Sequence, residues 1–594
     1  MVAPMAMHLD TAAGDYAAMR ESFRWEVPER YNIGVDICGR WATDRTRFAL
    51  YYEDEAGHSS AWTFWDIQQS ANRLSNVLAA LGTMRGDRVA IMLPQRPQTG
   101  MAHVAIYQMG GVAVPLSHLF GPDALEYRLQ DAGVHVAIVD ETTLPKLLEI
   151  RDRLPDLRHV IGVGIAPEVA ASAGIKQWEA VLEHASPRYA PVDTAADDPA
   201  LIIYTSGTTG NPKGALMAHR TLIGNLSGFV CSHNAFPQPG DMFWSPADWA
   251  WTGGLFDVLL PVWRFGMPLL AYKGRFEAEK AFALIEKYGV RNTFLFPTAL
   301  KMMMKAVPDP KLRYDLDLRS IMSAGEPVGE AVFHWAKEKL GVSINEMFGQ
   351  TEMNYVIGNS AAWPVRPGAM GRAYPGHRVS IIDDNGVELP PGETGEVAVN
   401  RRCGTSADPV VMIEYWKNPA ATADKFTADG WGHTGDLARL DEDGYFWYQG
   451  RTDDVFKSGG YRIGPAEIEN CLVKHAAVAN AAVIGAPDEM RGTMVKAFVV
   501  LQPGIVGDEA LVSALQGHVR QMLAPYETPK AIEFMDSLPM TTTGKVQRRF
   551  LRQRELEKIS GGGLPCQIPQ VPGGSPRTGA ATRSCVPCSI PPTR

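Results

Sequence analysis

A loop of glycine, serine and threonine follows an apolar run near the middle of the first half of the chain. Residues 204–214 read Tyr-Thr-Ser-Gly-Thr-Thr-Gly-Asn-Pro-Lys-Gly and come directly after Ala-Leu-Ile-Ile at 200–203. Glycines let a backbone take positive φ angles and turn successive N–H groups toward one point, while hydroxyl groups and a lysine add further donors. We therefore predict that a β-strand ends here in a polyphosphate site. The predicted binding residues are Thr205, Ser206, Gly207, Thr208, Thr209, Gly210 and Lys213.

The spacing of this loop differs from that of the Walker A loop. Lys213 follows Pro212, and Gly214 stands where the Walker pattern has a serine or threonine that binds Mg²⁺. A Walker-type nucleotide site is therefore excluded. A plain surface linker is the other reading of such a composition, but the position directly after a strand favours a phosphate site.

Hydrophobic periodicity predicts alternating helices and strands over most of the chain. An amphipathic helix is predicted at 63–81, where Thr63 and Asp66 form a capping box and Gly82 ends the helix. Short apolar runs predict strands at 88–93, 136–139, 160–163, 200–204, 268–272, 291–296 and 319–322. Short strands and turns at 379–400 predict a small β-rich subdomain. The predicted fold class is α/β.

The chain is long enough for several domains, because its 594 residues exceed what one hydrophobic core usually supports. A compact α/β unit with predicted helices at 466–474 and 509–523 begins after the segment 450–454. Beyond residue 560 the sequence is rich in Gly, Pro, Ser and Thr, which predicts a disordered tail. We predict a large layered α/β domain at 1–452, a small mobile α/β domain at 453–559 and the tail at 560–594.

Composition and charge limit the classes of partner. The net charge of -9 argues against a surface for nucleic acid or for an anionic membrane. The apolar runs fall short of a membrane span, and most cysteines stand singly, which suits reduced thiols. We therefore expect a cytoplasmic protein that acts on small molecules, and we allow for a homodimer.

The phosphate loop resembles that of the adenylate-forming superfamily, which comprises acyl-CoA synthetases, peptide-synthetase adenylation domains and luciferases. Later segments are similar to other motifs of this superfamily in the same order, so the resemblance covers residues 25–557. Residues 324–327 (Ala-Gly-Glu-Pro) resemble the turn that flanks adenine, and residues 346–352 (Glu-Met-Phe-Gly-Gln-Thr-Glu) resemble the segment that holds the nucleotide. Besides the loop, the resemblance implies an ATP site formed by Gly325, Glu326, Pro327, Glu346, Phe348, Thr351, Asp436, Arg451 and Arg462.

The resemblance also implies individual roles in the ATP site. Phe348 would lie on adenine, Thr351 would contact the α-phosphate and Glu352 would bind Mg²⁺. Asp436 and Arg451 would hold the ribose hydroxyls, one as acceptor and one as donor. Thr351 and Glu352 are thus two of the three implied catalytic residues.

The third implied catalytic residue is Lys545, in a glycine-containing turn of the small domain. It would bridge the carboxylate and the α-phosphate, because a movable cation stabilises a transition state formed from two anions. Asp453 would be the hinge about which the small domain rotates. Gly459 and Gly460 would line the CoA tunnel, and Arg462 would meet phosphate in the adenylating arrangement.

The stretch 247–255 resembles the acyl-pocket helix start of acetyl-CoA synthetases. It contributes the candidate pocket residues Trp249, Trp251, Thr252 and Gly253, and it departs from many relatives in having Leu255 in place of a histidine or an aromatic residue. Acetyl-CoA synthetases close the pocket floor with a tryptophan where this chain has Gly349. We therefore expect an open floor and a medium-chain, branched or aryl acid.

Taken together, the resemblance implies an AMP-forming acid:CoA ligase that uses ATP, CoA and Mg²⁺. Such an enzyme forms acyl-AMP and pyrophosphate first, and acyl-CoA and AMP second. The alternatives are an acetate- or propionate-CoA ligase, an enzyme that loads a carrier protein, and a luciferase-like oxygenase. An inactive nucleotide-binding relative is disfavoured, because Lys213, Glu352, Asp436, Arg451 and Lys545 are all present.

Overall fold

The structure is a computed structural model. It describes residues 7–8, 16–205, 211–404, 406–452, 454, 456–458, 461–488, 492–523, 525–540 and 546–559. Among these residues, no helix combines the length and the apolar character that crossing a bilayer requires. The predicted tail at 560–594 lies outside the described residues, so its disorder stays a prediction.

An eight-stranded sheet carries the strand that leads into the phosphate loop. In spatial order its strands are Glu414–Tyr415, Lys213–Ala218, Pro199–Thr205, Val112–Pro115, Arg88–Met92, Val136–Asp140, His159–Val163 and Lys176–Gln177. The pairs from Pro199–Thr205 onward are parallel, whereas Lys213–Ala218 is antiparallel to both of its neighbours. The predicted strand at 200–204 is confirmed. The phosphate loop therefore joins two antiparallel strands and does not lead into a helix.

A nine-stranded sheet carries the residues that follow the predicted adenine turn. In spatial order its strands are Arg372–Ala373, Asn354–Gly358, Ile344–Gln350, Ser320–Ser323, Asn292–Phe294, Phe243–Trp244, Leu269–Lys273, Phe48–Asp54 and Ser59–Thr63. The six strands from Ile344–Gln350 to Phe48–Asp54 are parallel, and both ends of the sheet are antiparallel. Parallel neighbours end at the same edge, so Ser323 lies beside Glu346.

The main hydrophobic core combines residues of both sheets with the helices that pack on them. Leu74 and Val104 come from helices that follow strands of the chain's first half, and Trp263 comes from a helix near the second sheet. The helix Pro97–Gln108 is buried on all sides, which explains why its sequence shows no amphipathic stripe. Thr63 and Asp66 do form a capping box on the helix Phe64–Ala80, as predicted. Mutual hydrogen bonds of 2.9 and 3.2 Å join the backbone N–H of each residue to the side chain of the other.

The remaining helices connect the strands or cover the sheets. The longer ones are Tyr16–Ser22, Pro122–Ala132, Leu144–Ile150, Pro167–Ser172, Trp178–Glu183, Thr221–Ser232, Ala278–Tyr288, Pro297–Ala306, Glu330–Trp335 and Pro419–Asp424. A composite helix consists of Thr252–Gly254, a π-helical turn at Leu255–Leu259, and Leu260–Arg264.

Two smaller sheets follow. An antiparallel four-stranded sheet contains Val379–Ile382, Thr394–Asn400, Trp431–Leu440 and Phe446–Arg451, so the predicted β-rich subdomain is confirmed and extends beyond residue 400. The C-terminal unit contains the hairpin Phe456–Ser458 and Tyr461–Ile463, the sheet Val478–Asp488, Gly492–Leu501 and Ala531–Phe534, and the helices Pro465–Val473, Glu509–Met522 and Arg548–Ile559. The boundaries at 452/453 and 559/560 stay predictions.

Candidate active site

The two ends of the phosphate loop lie side by side. Thr205 is the last residue of its strand and pairs with Lys213, the first residue of the next strand. The hydroxyl of Thr205 donates a hydrogen bond of 3.3 Å to the backbone oxygen of Lys213. Five of the predicted loop residues lie outside the described residues, namely Ser206, Gly207, Thr208, Thr209 and Gly210.

Lys213 and Glu352, which are predicted to face the phosphates and Mg²⁺, share a neighbour in Tyr415. The Lys213 Nζ atom lies 4.6 Å from the centre of the Tyr415 ring, and the Tyr415 hydroxyl donates a hydrogen bond to Glu352 Oε1. Burial, followed by the charge of Glu352, raises the pKa of Tyr415. Tyr415 therefore keeps its proton and holds the carboxylate of Glu352, which is 8 % exposed. The strand pairing Ala215↔Tyr415 brings these residues together.

A second set of contacts leads from the Glu352 segment toward the predicted ribose residues. The half-buried Lys425 donates to Gln350 Oε1, and the Gln350 amide donates to the Thr434 backbone oxygen at 3.0 Å. Burial lowers the pKa of Lys425, although the charges of Glu352 and Asp436 oppose this shift. Lys425 therefore places a desolvated amine between the predicted metal-binding and ribose-binding residues.

Asp436 and Arg451 form an ion pair across two antiparallel strands. The two residues are paired in register, and Arg451 Nη1 lies 3.2 Å from Asp436 Oδ2. The same Nη1 donates to the Thr434 backbone oxygen at 3.1 Å. Gly435 has a φ of 74°, and a Cβ there would lie 2.9 Å from Arg451 Nη2. Glycine is favoured at this position because its φ lies in the left-handed region, which side chains with a Cβ rarely adopt.

The predicted adenine turn lies next to Glu346. Gly325 has a φ of 97° and is exposed, as is Pro327, whereas Glu326 is half-buried. The Val328 N–H, directly after the turn, donates to Glu346 Oε1 at 2.8 Å. Burial raises the pKa of Glu346 to about 7, and the hydrogen bond from Val328 opposes this rise. The turn and the strand Ile344–Gln350 are thus joined by a carboxyl group that titrates near neutral pH.

Phe348 and Thr351 flank this region. Phe348 is half-buried and packs against the cluster that contains Met353 and Val397, so part of its ring belongs to the core. Thr351 is half-buried and follows the strand Ile344–Gln350 directly. Their predicted contacts with adenine and the α-phosphate stay predictions.

The predicted acyl-pocket residues differ in burial. Trp249 is 1 % exposed and lies in the main core, whereas Trp251 is half-buried and its ring stands edge-on to Phe120 at 5.7 Å. Thr252 and Gly253 begin the composite helix, and a Cβ at Gly253 would lie 2.9 Å from the Phe294 ring. This face of the helix start therefore meets aromatic side chains.

The structure gives Gly349 a backbone role that the sequence did not reveal, and the open floor expected there stays a prediction. A Cβ at this position would clash with the backbone carbonyl of Asn354, because the strands Ile344–Gln350 and Asn354–Gly358 approach closely at a β-bulge. Glycine is therefore required by the backbone, and a tryptophan would not fit there without moving Asn354. Whether Gly349 lines the acyl pocket stays a prediction.

Most predicted residues of the small domain lie outside the described residues: Asp453, Gly459, Gly460 and Lys545. Only the backbone of Arg462 is described, and it pairs with Lys457 in the hairpin. Next to the predicted hinge, Arg548 Nη1 lies 2.9 Å from Asp454 Oδ2, and its Nη2 lies 2.6 Å from Glu469 Oε2. The hinge segment is thus tied to the last described helix.

Sequence reasoning missed Tyr415, Gln350, Lys425 and Thr434. Each is a common residue type, and strand pairing or folding over long sequence distances brings them to the site. Gln350 could have been found, because it lies between the predicted residues Gly349 and Thr351.

Comparison with known proteins identifies the class. A model of the AMP-binding enzyme family matches residues 40–416, and a model of the AMP-binding enzyme C-terminal domain matches residues 467–545. The chain therefore belongs to the family of AMP-binding enzymes, as predicted.

The similar proteins include acyl-CoA ligases. The uncharacterised acyl–CoA ligase YtcI of Bacillus subtilis (strain 168) is 34% identical over 530 residues, which cover 89% of this chain and 97% of the relative. The acetyl-coenzyme A synthetase of the same organism is 35% identical over 540 residues, which cover 90% and 92%. The crystal structure of the anthranilate CoA ligase AuaEII in complex with anthranoyl-AMP has a TM-score of 0.81 and 28% identity, with 90% of this chain and 99% of that chain covered. These similarities confirm the predicted fold class.

Proposed function

We propose that this chain is an ATP-dependent acid:CoA ligase of the AMP-forming type. One observation carries the proposal. Successive contacts run from Lys213 through Tyr415 to Glu352, and from Lys425 through Gln350 and Thr434 to the pair Asp436 and Arg451. These two series of contacts support one site with lysines for phosphate, a carboxylate for a metal ion and an ion pair for ribose, in a chain whose relatives are acyl-CoA ligases.

The reaction has two steps that share this site. A carboxylate oxygen of the acid attacks the α-phosphorus of ATP, the bond to the β-phosphate oxygen breaks, and acyl-AMP and pyrophosphate result. The CoA sulfur then attacks the acyl carbon and gives up its proton, and the bond to the AMP oxygen breaks to release acyl-CoA and AMP. Both steps place negative charge near the α-phosphate, where fixed cations stabilise it.

The described residues support particular roles. Lys213 shares the neighbour Tyr415 with Glu352, and the charge of Glu352 acts on Lys425, so we assign both lysines to the phosphates. Asp436 and Arg451 are assigned to the ribose hydroxyls. Lys545 remains the proposed catalytic lysine, brought in by rotation about Asp453, and Arg462 accompanies it in the adenylating arrangement. Gly459 and Gly460 would take their place in the second step.

Mg²⁺ fits the donor set at Glu352. The described residues contain no cluster of three or more residues of the types that could hold a metal ion by themselves. Mg²⁺ at nucleotide sites commonly takes one or two protein carboxylates and completes its shell with phosphate oxygens and water. Glu352 supplies one such carboxylate, and the bound ion would neutralise charge on the polyphosphate.

We propose a medium-chain, branched or aryl acid as substrate, with acetate or propionate as the rival. The aromatic side chains at the helix start, Trp251, Phe120 and Phe294, favour an apolar or aryl group. Each buried CH₂ contributes about 0.8 kcal/mol, so four additional carbons give about 3 kcal/mol, or on the order of a hundredfold in specificity. The similarity to the anthranilate ligase supports an aryl acid as substrate, and the similarity to the acetyl-coenzyme A synthetase supports acetate.

A cytoplasmic location and a homodimer complete the proposal. Singly placed cysteines support the location, since three of the four described cysteines are buried and unbonded. Light scattering on the purified protein tests the assembly, and fractionation of the source cell tests the location.

Acid-dependent exchange of labelled pyrophosphate into ATP tests the proposed function. The panel contains acetate, propionate, hexanoate, octanoate, isovalerate and benzoate, each with and without Mg²⁺. Exchange with at least one acid supports the proposal, and exchange that favours acids larger than propionate supports the substrate class. Absence of exchange with every acid contradicts the proposed function, whereas a strong preference for acetate contradicts only the substrate class.

A further inference from the structure

Asp257 is a buried carboxylic acid whose hydrogen bonds are incomplete. It lies in the π-helical turn Leu255–Leu259 and is 2 % exposed, and its Oδ1 atom has no hydrogen-bond partner in the described part of the chain. Buried polar atoms are almost always paired, because leaving one unpaired costs about 1–3 kcal/mol. An unpaired oxygen at this depth therefore indicates either strain or a missing ligand.

Another buried acid shows how this chain treats a structural carboxylate. Glu53 is also 2 % exposed, but it accepts hydrogen bonds from Lys280, Lys287 and Tyr288 at 2.7, 2.6 and 2.7 Å. Among the described residues, no lysine or arginine pairs with Asp257 in the way that Lys280 and Lys287 pair with Glu53. Burial raises its pKa well above the usual range, and the side-chain amide of Asn354 is the group that opposes this shift.

The surroundings of Asp257 are polar. The Asn354 amide donates to Asn225 Oδ1, and the Asn225 amide donates to the Phe256 backbone oxygen at 2.6 Å and reaches the Tyr355 hydroxyl at 3.5 Å. Asn354 has a φ of 44°, in the left-handed region. Asn354 and Tyr355 both act on the buried carboxyl group of Asp257, and Asn225 links them to each other. These polar neighbours suit a small hydrogen-bonding group better than an alkyl chain.

Asp257 lies between two predicted parts of the acyl pocket. It follows Gly253 by four residues, about one helical turn, so both residues belong to the same side of the composite helix. Asn354, which interacts with Asp257, packs its backbone carbonyl against Gly349. Gly253 and Gly349 are both predicted pocket residues, so the predicted pocket would bring an acyl group toward this carboxyl group.

We propose that Asp257 is a specificity-determining residue that binds a hydroxyl group carried by the acyl substrate. A hydroxyl can donate to the unpaired Oδ1 and can also accept a hydrogen bond, so it matches the carboxylic acid and the neighbouring amides. This inference rests on the proposed acid:CoA ligase function and deepens it. The substrate class becomes a hydroxylated medium-chain or aryl carboxylic acid.

Matched acids with and without a hydroxyl group test the proposal. The pairs are 6-hydroxyhexanoate with hexanoate, and 3- or 4-hydroxybenzoate with benzoate. The measured quantity is the ratio of kcat/KM for each hydroxy acid to that for its parent, in the full chain and in Asp257→Leu and Asp257→Asn. We expect a ratio of about ten to a hundred for at least one pair in the unmodified chain.

The variants separate binding from a structural role. Asp257→Leu is expected to bring the ratio to about one or below, because the apolar side chain no longer pairs with the hydroxyl. Asp257→Asn, which can still donate and accept, is expected to keep most of the preference. A loss of fold alone would lower both rates and leave their ratio unchanged.

Two results would overturn the inference. One is an unmodified chain that uses every parent acid at least as well as its hydroxy partner, a result that needs no variant. The other is an Asp257→Leu enzyme that keeps the hydroxy preference. If no acid at all supports exchange, the proposed ligase function itself fails, and this outcome is distinct from active enzyme with no preference.

Discussion

Replacing Asp436 by asparagine should weaken recognition of the ribose of ATP. Asp436 is 8 % exposed, and it is held by Arg451 at 3.2 Å. A hydrogen bond to a charged acceptor contributes about 1.5–3 kcal/mol. The bond from ribose to Asp436 should contribute more than the lower of these values, because the carboxylate is buried and water screens it little. We therefore expect Asp436→Asn to lose about 2 kcal/mol, or about thirtyfold in kcat/KM for ATP.

The assay uses pyrophosphate exchange with ATP, 2′-deoxy-ATP and 3′-deoxy-ATP at a saturating acid concentration. Removing the hydroxyl that Asp436 binds should cost the unmodified chain about thirtyfold, by the same estimate. In Asp436→Asn, removing this hydroxyl should lower kcat/KM by less than about fivefold, because the carboxylate with which the hydroxyl interacts is already absent. Asp384→Asn, an exposed change of the same kind in the same subdomain, is the control and should match the unmodified chain.

The reasoning is refuted if Asp436→Asn discriminates between ATP and both deoxy nucleotides as strongly as the unmodified chain does. A uniform loss with all three nucleotides would indicate that Asp436 acts through the fold of the β-rich subdomain and not on ribose. The melting temperature of the variant, measured beside that of Asp384→Asn, reports such a structural effect directly.

Three further predictions concern pH and the two half-reactions. The pKa of Glu346 is about 7, so this carboxyl, which lies beside the predicted adenine turn, gains negative charge as pH rises from 6 to 8. KM for ATP, itself an anion, should therefore rise in the unmodified chain but stay flat in Glu346→Gln; equal rises in exchange assays would contradict this. Burial raises the pKa of Glu53, but three hydrogen bonds outweigh burial and hold the pKa at about 2. The ionised carboxylate therefore stabilises the folded state above pH 4.5, and this stabilisation is lost as pH falls toward 2. Glu53→Gln should lower the free energy of unfolding by about 2 kcal/mol at pH 6, which is less than for a fully buried ion pair because the lysines are partly exposed. The difference in melting temperature between the variant and the unmodified chain should shrink toward pH 2, and a difference independent of pH would contradict this. Lys545→Ala should slow adenylation about a hundred- to a thousandfold and spare the reaction of preformed acyl-AMP with CoA, while Gly460→Leu should do the reverse; equal effects on both half-reactions would argue against a rotating small domain.

Local signals predicted much of the fold. The capping box of Thr63 and Asp66 predicted the start of a helix, and the apolar run before Thr205 predicted a strand, because both features depend on neighbours within a few residues. The strand Lys213–Ala218 was not predicted, since it begins after Pro212 and pairs through a loop whose composition indicates only a turn.

The candidate site was less predictable, because it depends on contacts over long sequence distances. Tyr415 and Glu352 are 63 residues apart, and the pairing of a two-residue strand brings them together. Gly349 was interpreted as a missing side chain, whereas the structure shows a glycine required by close backbone approach. Asp257 carries no sequence signal, since an aspartate among apolar residues is noticed only when its burial and its unpaired oxygen are known.

The most direct test of the proposed function follows an oxygen atom. The best acid of the panel is labelled with ¹⁸O in its carboxylate and converted to its CoA thioester with unlabelled ATP, and the products are examined by mass spectrometry. An acyl-AMP intermediate predicts one labelled oxygen in each AMP and none in pyrophosphate. Label in inorganic phosphate together with ADP, or AMP without label, would contradict the proposed function.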